Sequence, residues 1–136
     1  MKIEKRYKIE DCIEYDEIRT CMNDVSLEGN IAIATDGHIL AVVPYLREDS
    51  DTAERLSPSV LKSARKIKVK GSDEVQISSL NGTGTLSDGS IVLNKVSDDK
   101  FPDWRSVMPP EDRKPVFEVS FDVSLLVRLA AAMGTD

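Results

Sequence analysis

The sequence has very little of the residue types on which most catalytic and metal sites depend. Its 136 residues include one histidine, His38, and two cysteines, Cys12 and Cys21. The cysteine spacing fits no zinc or redox motif, and a zinc site would need both cysteines, His38 and a carboxylate together. We therefore expect no bound metal or cofactor, and two free thiols in a reducing compartment.

Long apolar runs are also missing. The longest apolar run without a charge, residues 39–46, is far shorter than the roughly 20 residues that a membrane-spanning helix needs. Residues 1–6 are mostly charged and no apolar stretch follows them, so the sequence predicts no signal peptide. We therefore expect a cytoplasmic protein without a membrane partner.

Motifs of catalysis are scarce. No glycine-rich loop leads from a strand into a helix, since Gly82 and Gly84 belong to a predicted hairpin. His38 has no serine or cysteine near it in a recognisable nucleophile motif. The sequence therefore favours a protein that is not an enzyme. A small enzyme that uses His38 with Cys12 or Cys21 is the alternative that the residues leave open.

What the chain does have is the composition of one acidic globular domain, residues 1–136. Hydrophobic residues make up 40% and charged residues 31%, which excludes a disordered chain. Eighteen basic and 24 acidic residues give a net charge of −6. An acidic protein binds nucleic acid only where its basic residues gather on one face.

Turn signals divide most of the chain into short strands. Two β-branched apolar stretches, residues 31–35 and 39–43, flank Asp36-Gly37, a pair typical of tight hairpin turns. Further strands are predicted within residues 2–15, 18–27, 75–80, 83–86, 90–96 and 116–121. Together with two helices, this order predicts an α+β fold with a mostly antiparallel sheet.

Capping residues and periodicity predict the two helices. Ser57 and Pro58 have the residue types of an N-cap and a first helical turn, and apolar residues with helical spacing follow them. The second helix is predicted from a cap at Asp122 to about Met133, where Gly134 ends it.

The first predicted helix carries a one-sided basic cluster. Five basic residues and no acidic residue lie between positions 61 and 70, namely Lys62, Arg65, Lys66, Lys68 and Lys70. Lys62, Arg65 and Lys66 share one face of the helix. Such a row can contact phosphates without reading bases. The alternative is an ordinary solvated helix face.

Two motifs resemble those of one protein family. Residues 34–41, ATDGHILA, and residues 101–109, FPDWRSVMP, resemble the ATDGHRLA hairpin and the FPDYRRVIP loop of bacterial DNA sliding clamps, the beta subunit of the replicative polymerase. Residues 56–62 resemble the start of the family's inner helix. Residues 117–133 resemble the strand and helix that open the next clamp domain. The resemblance covers residues 18–133.

The resemblance implies a processivity fold in which helices line the inside of a ring and sheets form its outside. It implies a sliding-clamp-like processivity factor that contacts duplex DNA through its phosphate backbone and tethers a DNA polymerase or repair protein at the nucleoid. The basic cluster would face the DNA. The residues that would line a groove for a partner peptide are, by position, Thr35, Gly37, His38 and Leu40 from the hairpin and Pro102 and Val107 from the loop.

The sequence also departs from the family. Ile39 and Ser106 stand where the family usually has arginines. One domain does not close a ring, so the resemblance implies either a homo-oligomer or a fragment of a longer chain, with residues 116–136 opening a following domain. Alternatively, the last helix fills the place of a first helix that residues 1–18 do not supply. A clamp-derived protein–protein interaction module without DNA binding is the second functional hypothesis.

Overall fold

The computed structural model describes residues 1–80, 82–109 and 122–135. Within these residues the strands form two antiparallel sheets of four strands each. In spatial order the first sheet contains β1 (Lys2–Glu4), β6 (Glu74–Leu80), β7 (Thr83–Leu86) and β8 (Ile91–Leu93). The second contains β4 (Leu40–Pro44), β3 (Ile31–Thr35), β2 (Val25–Glu28) and β5 (Arg55–Leu56). With helices α1 (Pro58–Lys66) and α2 (Val123–Met133), these sheets confirm the predicted α+β fold of antiparallel sheets and two helices.

The two sheets share one hydrophobic core. A pair of backbone hydrogen bonds joins them, because Lys2 and Leu46 each donate an N–H to the other's carbonyl at 2.8 Å. The core cluster draws on both sheets and both helices, and its most buried members include Ile3, Ile9, Val25, Val43, Leu56, Val60, Leu61, Ile77 and Ala132. Burial of this apolar surface is the main force that holds the elements together.

Helix α1 begins where the sequence predicts it. Ser57 occupies the N-cap position in an extended conformation, but its side chain makes no capping hydrogen bond; its hydroxyl lies 2.8 Å from that of Ser59. The helix packs very close to β7, since a Cβ on Gly84 would lie 2.7 Å from Val60 Cγ1. Only glycine allows this approach without displacing the helix.

Helix α2 packs against the core formed by the preceding residues. Asp122 caps it as predicted, with its Oδ1 accepting the Ser124 N–H at 2.8 Å, and Gly134 ends it in a left-handed conformation. Ala132 is fully buried, and the Lys8 N–H donates to the Ala131 carbonyl at 3.3 Å. The helix lies on a short 3₁₀ turn, Ile9–Cys12, and on β4.

Some predicted strands differ from the structure. Residues 18–27 were expected to be extended, but only Val25–Glu28 is a strand, and Thr20–Met22 is a 3₁₀ turn. Side-chain hydrogen bonds compete with strand pairing there: Asn23 accepts the Asp16 N–H at 2.9 Å and donates to the Asp16 carbonyl at 2.8 Å. The predicted strand at 116–121 lies outside the described residues. No helix in the described part of the chain has the length and apolarity to cross a membrane.

Candidate functional site

The Asp36-Gly37 turn presents one wall of a surface groove. Thr35 Oγ1 accepts the Gly37 N–H at 3.1 Å and donates to the Ile39 carbonyl at 2.7 Å. Asp36 Oδ1 accepts the N–H groups of His38 and Ile39 at 2.8 and 3.0 Å. Gly37 has a φ of +89°, which favours glycine. The turn is therefore braced from inside by two short polar side chains.

The Asp36 carboxylate is almost completely buried and ionised. Its Oδ2 lies 2.9 Å from Arg128 Nη2 of α2, and its side chain is 2% exposed. Burial alone would raise the pKa of Asp36, but the N–H groups of Ile39 and His38 and the positive charge of Arg128 outweigh it. The pKa of Asp36 therefore lies below its ordinary value.

The opposite wall is the loop that carries the second motif. Its residues Trp104–Val107 form a 3₁₀ turn. Glu28, at the end of β2, accepts hydrogen bonds from Trp104 Nε1 at 3.3 Å and from Arg105 Nη1 at 2.7 Å. The Arg105 guanidinium also lies over the Trp104 ring, 4.3 Å from its centroid. One carboxylate thus ties the loop to the second sheet.

Arg55 of β5 holds the base of the same loop. Its side chain is 13% exposed and donates to the carbonyls of Ser97 and Asp99 at 2.8 and 2.5 Å. It also donates to the Cys21 carbonyl at 2.8 Å and pairs with Asp24 at 3.2 Å. Burial raises the pKa of Asp24, although the Ser97 N–H and the Arg55 charge oppose that rise. Arg55 therefore links the loop to the segment before β2.

Between these walls lies a cavity of about 250 Å³, which we name the groove. Its lining contains all six residues predicted from the resemblance, Thr35, Gly37, His38, Leu40, Pro102 and Val107, together with Met22, Ile39, Asp103 and Trp104. The fold therefore brings two motifs that are far apart in sequence to one place.

The prediction did not select four of the groove residues; Ile39, Asp103 and Trp104 lie within the two motifs, whereas Met22 lies outside both. It is 9% exposed and lies in the 3₁₀ turn before β2, where no motif surrounds it. A single methionine in an irregular segment gives no periodic signal, so nothing in the sequence identifies it. Ile39, which stands in place of the family's arginine, makes the groove more apolar.

The basic cluster divides into two groups in the structure. Lys62, Lys66, Lys68 and Lys70 are exposed, and in the described part of the chain none of them has a carboxylate within ion-pair distance. We name these four lysines the basic surface. Lys62 also shares a second cavity with Lys95, a residue that sequence reasoning did not select. Lys95 is exposed and extends the positive charge beyond α1.

The prediction that Arg65 belongs with these lysines is wrong. Its side chain is 16% exposed, and its guanidinium pairs with both carboxylate oxygens of Glu10, which is itself 2% exposed. It also donates to the carbonyl of Lys5 at 2.9 Å and to that of Tyr7. Because every one of these contacts is internal, Arg65 holds residues 5–10 onto α1, and its guanidinium is engaged inside the fold.

The geometry argues against the alternative of a thiol–histidine enzyme. His38 is exposed in the groove, whose lining contains neither cysteine. Cys12 is buried, and burial, with the nearby charge of Asp36, raises the pKa of its thiol to about 12. A thiol that stays protonated at neutral pH is a poor nucleophile. Among the described residues, no group of three or more histidine, cysteine or acidic side chains is placed to hold a metal ion.

One solved structure has a fold similar to that of this chain. The fold is similar to that of the C. crescentus beta sliding clamp, in a crystal structure with polyethylene glycol bound to a proposed beta-motif tethering region. The TM-score is 0.58 at 22% sequence identity, and the match covers 84% of this chain and 35% of that one. No protein-family model and no curated protein sequence matches the chain. The likeness therefore establishes a clamp-like fold, over about a third of the length of that clamp.

Proposed function

We propose that this protein is a sliding-clamp-like module whose groove binds a short hydrophobic segment of a partner protein, a DNA polymerase or a repair protein. The observation that supports it most is the convergence of both motifs on one cavity in a clamp-like fold. The C. crescentus clamp holds a polyethylene glycol chain in its proposed tethering region. The proposed role is binding, and no residue of the groove is assigned a catalytic step.

The chemistry of the groove suits a peptide with adjacent apolar side chains. Met22, Leu40, Pro102 and Val107 offer apolar surface, while the backbone carbonyl of exposed Gly37 offers a hydrogen-bond acceptor. Val107 is 75% exposed, so its side chain is open to contact with a partner peptide. A cavity of about 250 Å³ has room for roughly two apolar side chains.

The sequence supplies two natural reporters for a binding test. His38 is the single histidine and Trp104 the single tryptophan, and both line the groove. We expect the peptide acetyl-Ser-Leu-Phe-Ser-amide, titrated into untagged protein, to shift the His38 ring protons in NMR spectra and to change Trp104 fluorescence. Acetyl-Ser-Asn-Asn-Ser-amide should change neither signal.

A pair of matched variants locates the binding. Val107→Asp puts a charge on the groove wall, and we expect it to weaken binding of the peptide at least about tenfold, because the charge would be buried against apolar side chains. Val123→Asp is the control, since Val123 is 70% exposed on α2 and lies outside the groove lining. Equal loss in both variants, or no response of wild type to the peptide, would contradict the proposed groove function.

The basic surface supports a second proposal, contact with the phosphates of duplex DNA. Its four lysines are exposed within one short segment of a chain whose net charge is −6. An uneven distribution of this kind suits a protein that touches DNA with one face and is repelled on the others. The contact would be independent of sequence and weak, as lateral movement along DNA requires.

Fluorescence anisotropy with a labelled random-sequence duplex tests the DNA proposal. We expect affinity to fall steeply between 50 and 200 mM salt, and replacement of the four lysines of the basic surface by alanine to abolish most of that dependence. Lys8→Ala with Lys100→Ala, at exposed positions elsewhere, serves as the control. An absence of salt-dependent binding in wild type would favour the alternative, a protein–protein interaction module without DNA binding.

Assembly is a third part of the proposal. The chain spans 35% of the C. crescentus clamp chain, and a single domain does not encircle DNA, so we propose self-association into a homo-oligomer. Light scattering across a concentration series measures the molar mass directly. A defined multiple of 15.1 kDa would support an assembly of single-domain subunits. A monomer at every concentration would remove encirclement by this chain alone from the proposal.

A further inference from the structure

A buried ion pair connects the groove-lining hairpin to the last helix of the chain. Asp36 uses one carboxylate oxygen to accept the N–H groups of His38 and Ile39 and turns the other toward Arg128 Nη2 at 2.9 Å. One carboxylate therefore touches both the backbone of the turn and the side chain of α2. Among the described residues, α2 contributes nothing to the groove lining itself.

Other contacts fix the position of Arg128. Its Nε and Nη2 donate to the carbonyls of Asp11 and Cys12 at 3.3 and 3.2 Å, at the end of the 3₁₀ turn. Its Nη1 lies 3.4 Å from a carboxylate oxygen of Glu14. Because the planar guanidinium is held on several sides, it presents a nitrogen to Asp36 in a defined place.

The charge of Arg128 is unusual for its helix. Between Val123 and Met133 it is the one charged residue, and the other side chains are apolar except that of Ser124. An apolar helix packs on a core without any ion pair. Asp36 is the partner of Arg128 in the hairpin, and its carbonyl partners belong to the 3₁₀ turn on which α2 packs, so the charge of Arg128 joins the hairpin to that contact.

We infer that Arg128 is a positioning residue for the groove, holding Asp36 and, through it, the backbone of His38 and Ile39 in the conformation that forms the hairpin wall. If the groove binds a peptide as proposed, one consequence follows: α2 controls the affinity for the peptide without touching it. That consequence rests on the proposed function. Without the guanidinium, a buried carboxylate would lack a cation and would turn toward water, which would release the two N–H groups that it holds.

Hydrogen exchange at the two held amides tests the inference without any peptide. In Arg128→Met we expect the His38 and Ile39 amides to exchange at least about tenfold faster than in wild type, because their acceptor moves. Arg128→Lys restores a cation at the same place, and we expect exchange within about threefold of wild type. NMR spectra of ¹⁵N-labelled protein resolve both amides.

The control variant is Val127→Ala, which alters the neighbouring, 63% exposed position of α2 without changing its charge. It should leave both amides at wild-type rates. Wild-type exchange at both amides in Arg128→Met would overturn the inference. So would equal acceleration along the ladder between Ile31 and Pro44, since that would mean general loss of structure. If Arg128→Met loses α2 altogether, Arg128→Lys becomes the deciding variant. Exchange of both amides in Arg128→Lys as fast as in an unfolded hairpin would then overturn the inference.

Peptide titration then separates this inference from the proposed function. We expect Arg128→Met to weaken binding of acetyl-Ser-Leu-Phe-Ser-amide about tenfold and Val127→Ala less than twofold. In an Asp36→Asn background, Arg128→Met should add no further loss, because the link is already broken. An equal loss in both backgrounds would contradict coupling through Asp36. If wild type does not bind the peptide, the groove proposal fails, while the exchange rates still decide whether Arg128 positions the turn.

Discussion

The groove and the basic surface hold their charged groups in opposite ways. Behind the groove walls, Arg55 and Arg128 each donate to backbone carbonyls and pair with a buried carboxylate. The lysines of the basic surface are exposed and have no described ion pair. The arginines therefore give the groove a fixed shape, which the proposed selective binding needs, whereas exposed lysines would suit phosphates that differ in position from one contact to the next.

Helix α1 contains the same contrast between adjacent residues. The Arg65 guanidinium is bound by Glu10 and by the carbonyls of Lys5 and Tyr7, whereas Lys66 is exposed. A planar group with five donors can satisfy several acceptors at once, and a flexible ammonium group keeps its water more readily. Residue type, and not only position on the helix, separates internal braces from surface charge here.

Arg55→Met should break this comparison with the largest effect. It leaves the Asp24 carboxylate, 4% exposed, without its cation, and three carbonyls without their donor. We expect the free energy of unfolding to fall by about 3–5 kcal/mol in urea denaturation. Arg105→Met is the matched control, because the Arg105 side chain is 60% exposed where it pairs with Glu28. This variant should lower the free energy of unfolding by less than about 1 kcal/mol. Similar losses in the two variants would refute the distinction.

Arg65→Met should have the next largest effect on the free energy of unfolding, about 3 kcal/mol, because the buried Glu10 side chain would lose its ion-pair partner. The adjacent variant Lys66→Met should change stability by no more than about 0.5 kcal/mol. Both variants lose one positive charge, so differential scanning calorimetry of the pair separates internal bracing from net charge. If Arg65→Met lowered the free energy of unfolding by less than about 1 kcal/mol, Arg65 would be a surface charge like the lysines and not an internal brace.

Most of the features that could be predicted from the sequence depend on local patterns. Turn residues predicted the hairpin, whereas the shared place of the hairpin and the loop in one groove was implied by their resemblance to the sliding-clamp motifs. The cap at Asp122 and the Gly134 terminus are also local signals, and both are confirmed. Periodicity likewise identified the face of α1 that carries Lys62 and Arg65.

Contacts between distant segments were not predictable in the same way. Periodicity gives a helix face but not its neighbour, so it could not show that residues 5–10 cover Arg65. Arg55 and Arg128 act on segments far away in sequence, and neither belongs to a motif. Residues 18–27 have the β-propensity of a strand. That propensity takes no account of the two hydrogen bonds between the Asn23 side chain and the Asp16 backbone, which bend the chain there.

Asp36→Asn sharpens the comparison through pH. The pKa of Asp36 is lowered in the folded protein, so its contribution to stability is fully present above the unfolded value of about 3.9 and is lost as pH falls through the lower folded value. We expect the variant to be about 2 kcal/mol less stable than wild type at pH 7. That difference should shrink below pH 4, as measured by urea denaturation at a series of pH values. Asp98→Asn, at an exposed position, should match wild type throughout.

The smallest effect on stability should come from substitutions in the basic surface, and the same substitutions should clearly weaken the binding of DNA. Lys62→Ala and Lys66→Ala should each change the free energy of unfolding by less than about 0.5 kcal/mol, because neither side chain is buried. Each should also lower the slope of log affinity against log salt by about 1, which corresponds to one phosphate contact. Arg65→Lys gives the converse: it keeps the charge and the salt slope but loses the bidentate pair and stability. If Arg65→Lys lowered the slope while the lysine variants did not, Arg65 would belong to the DNA face, and the division between internal brace and surface charge would be reversed.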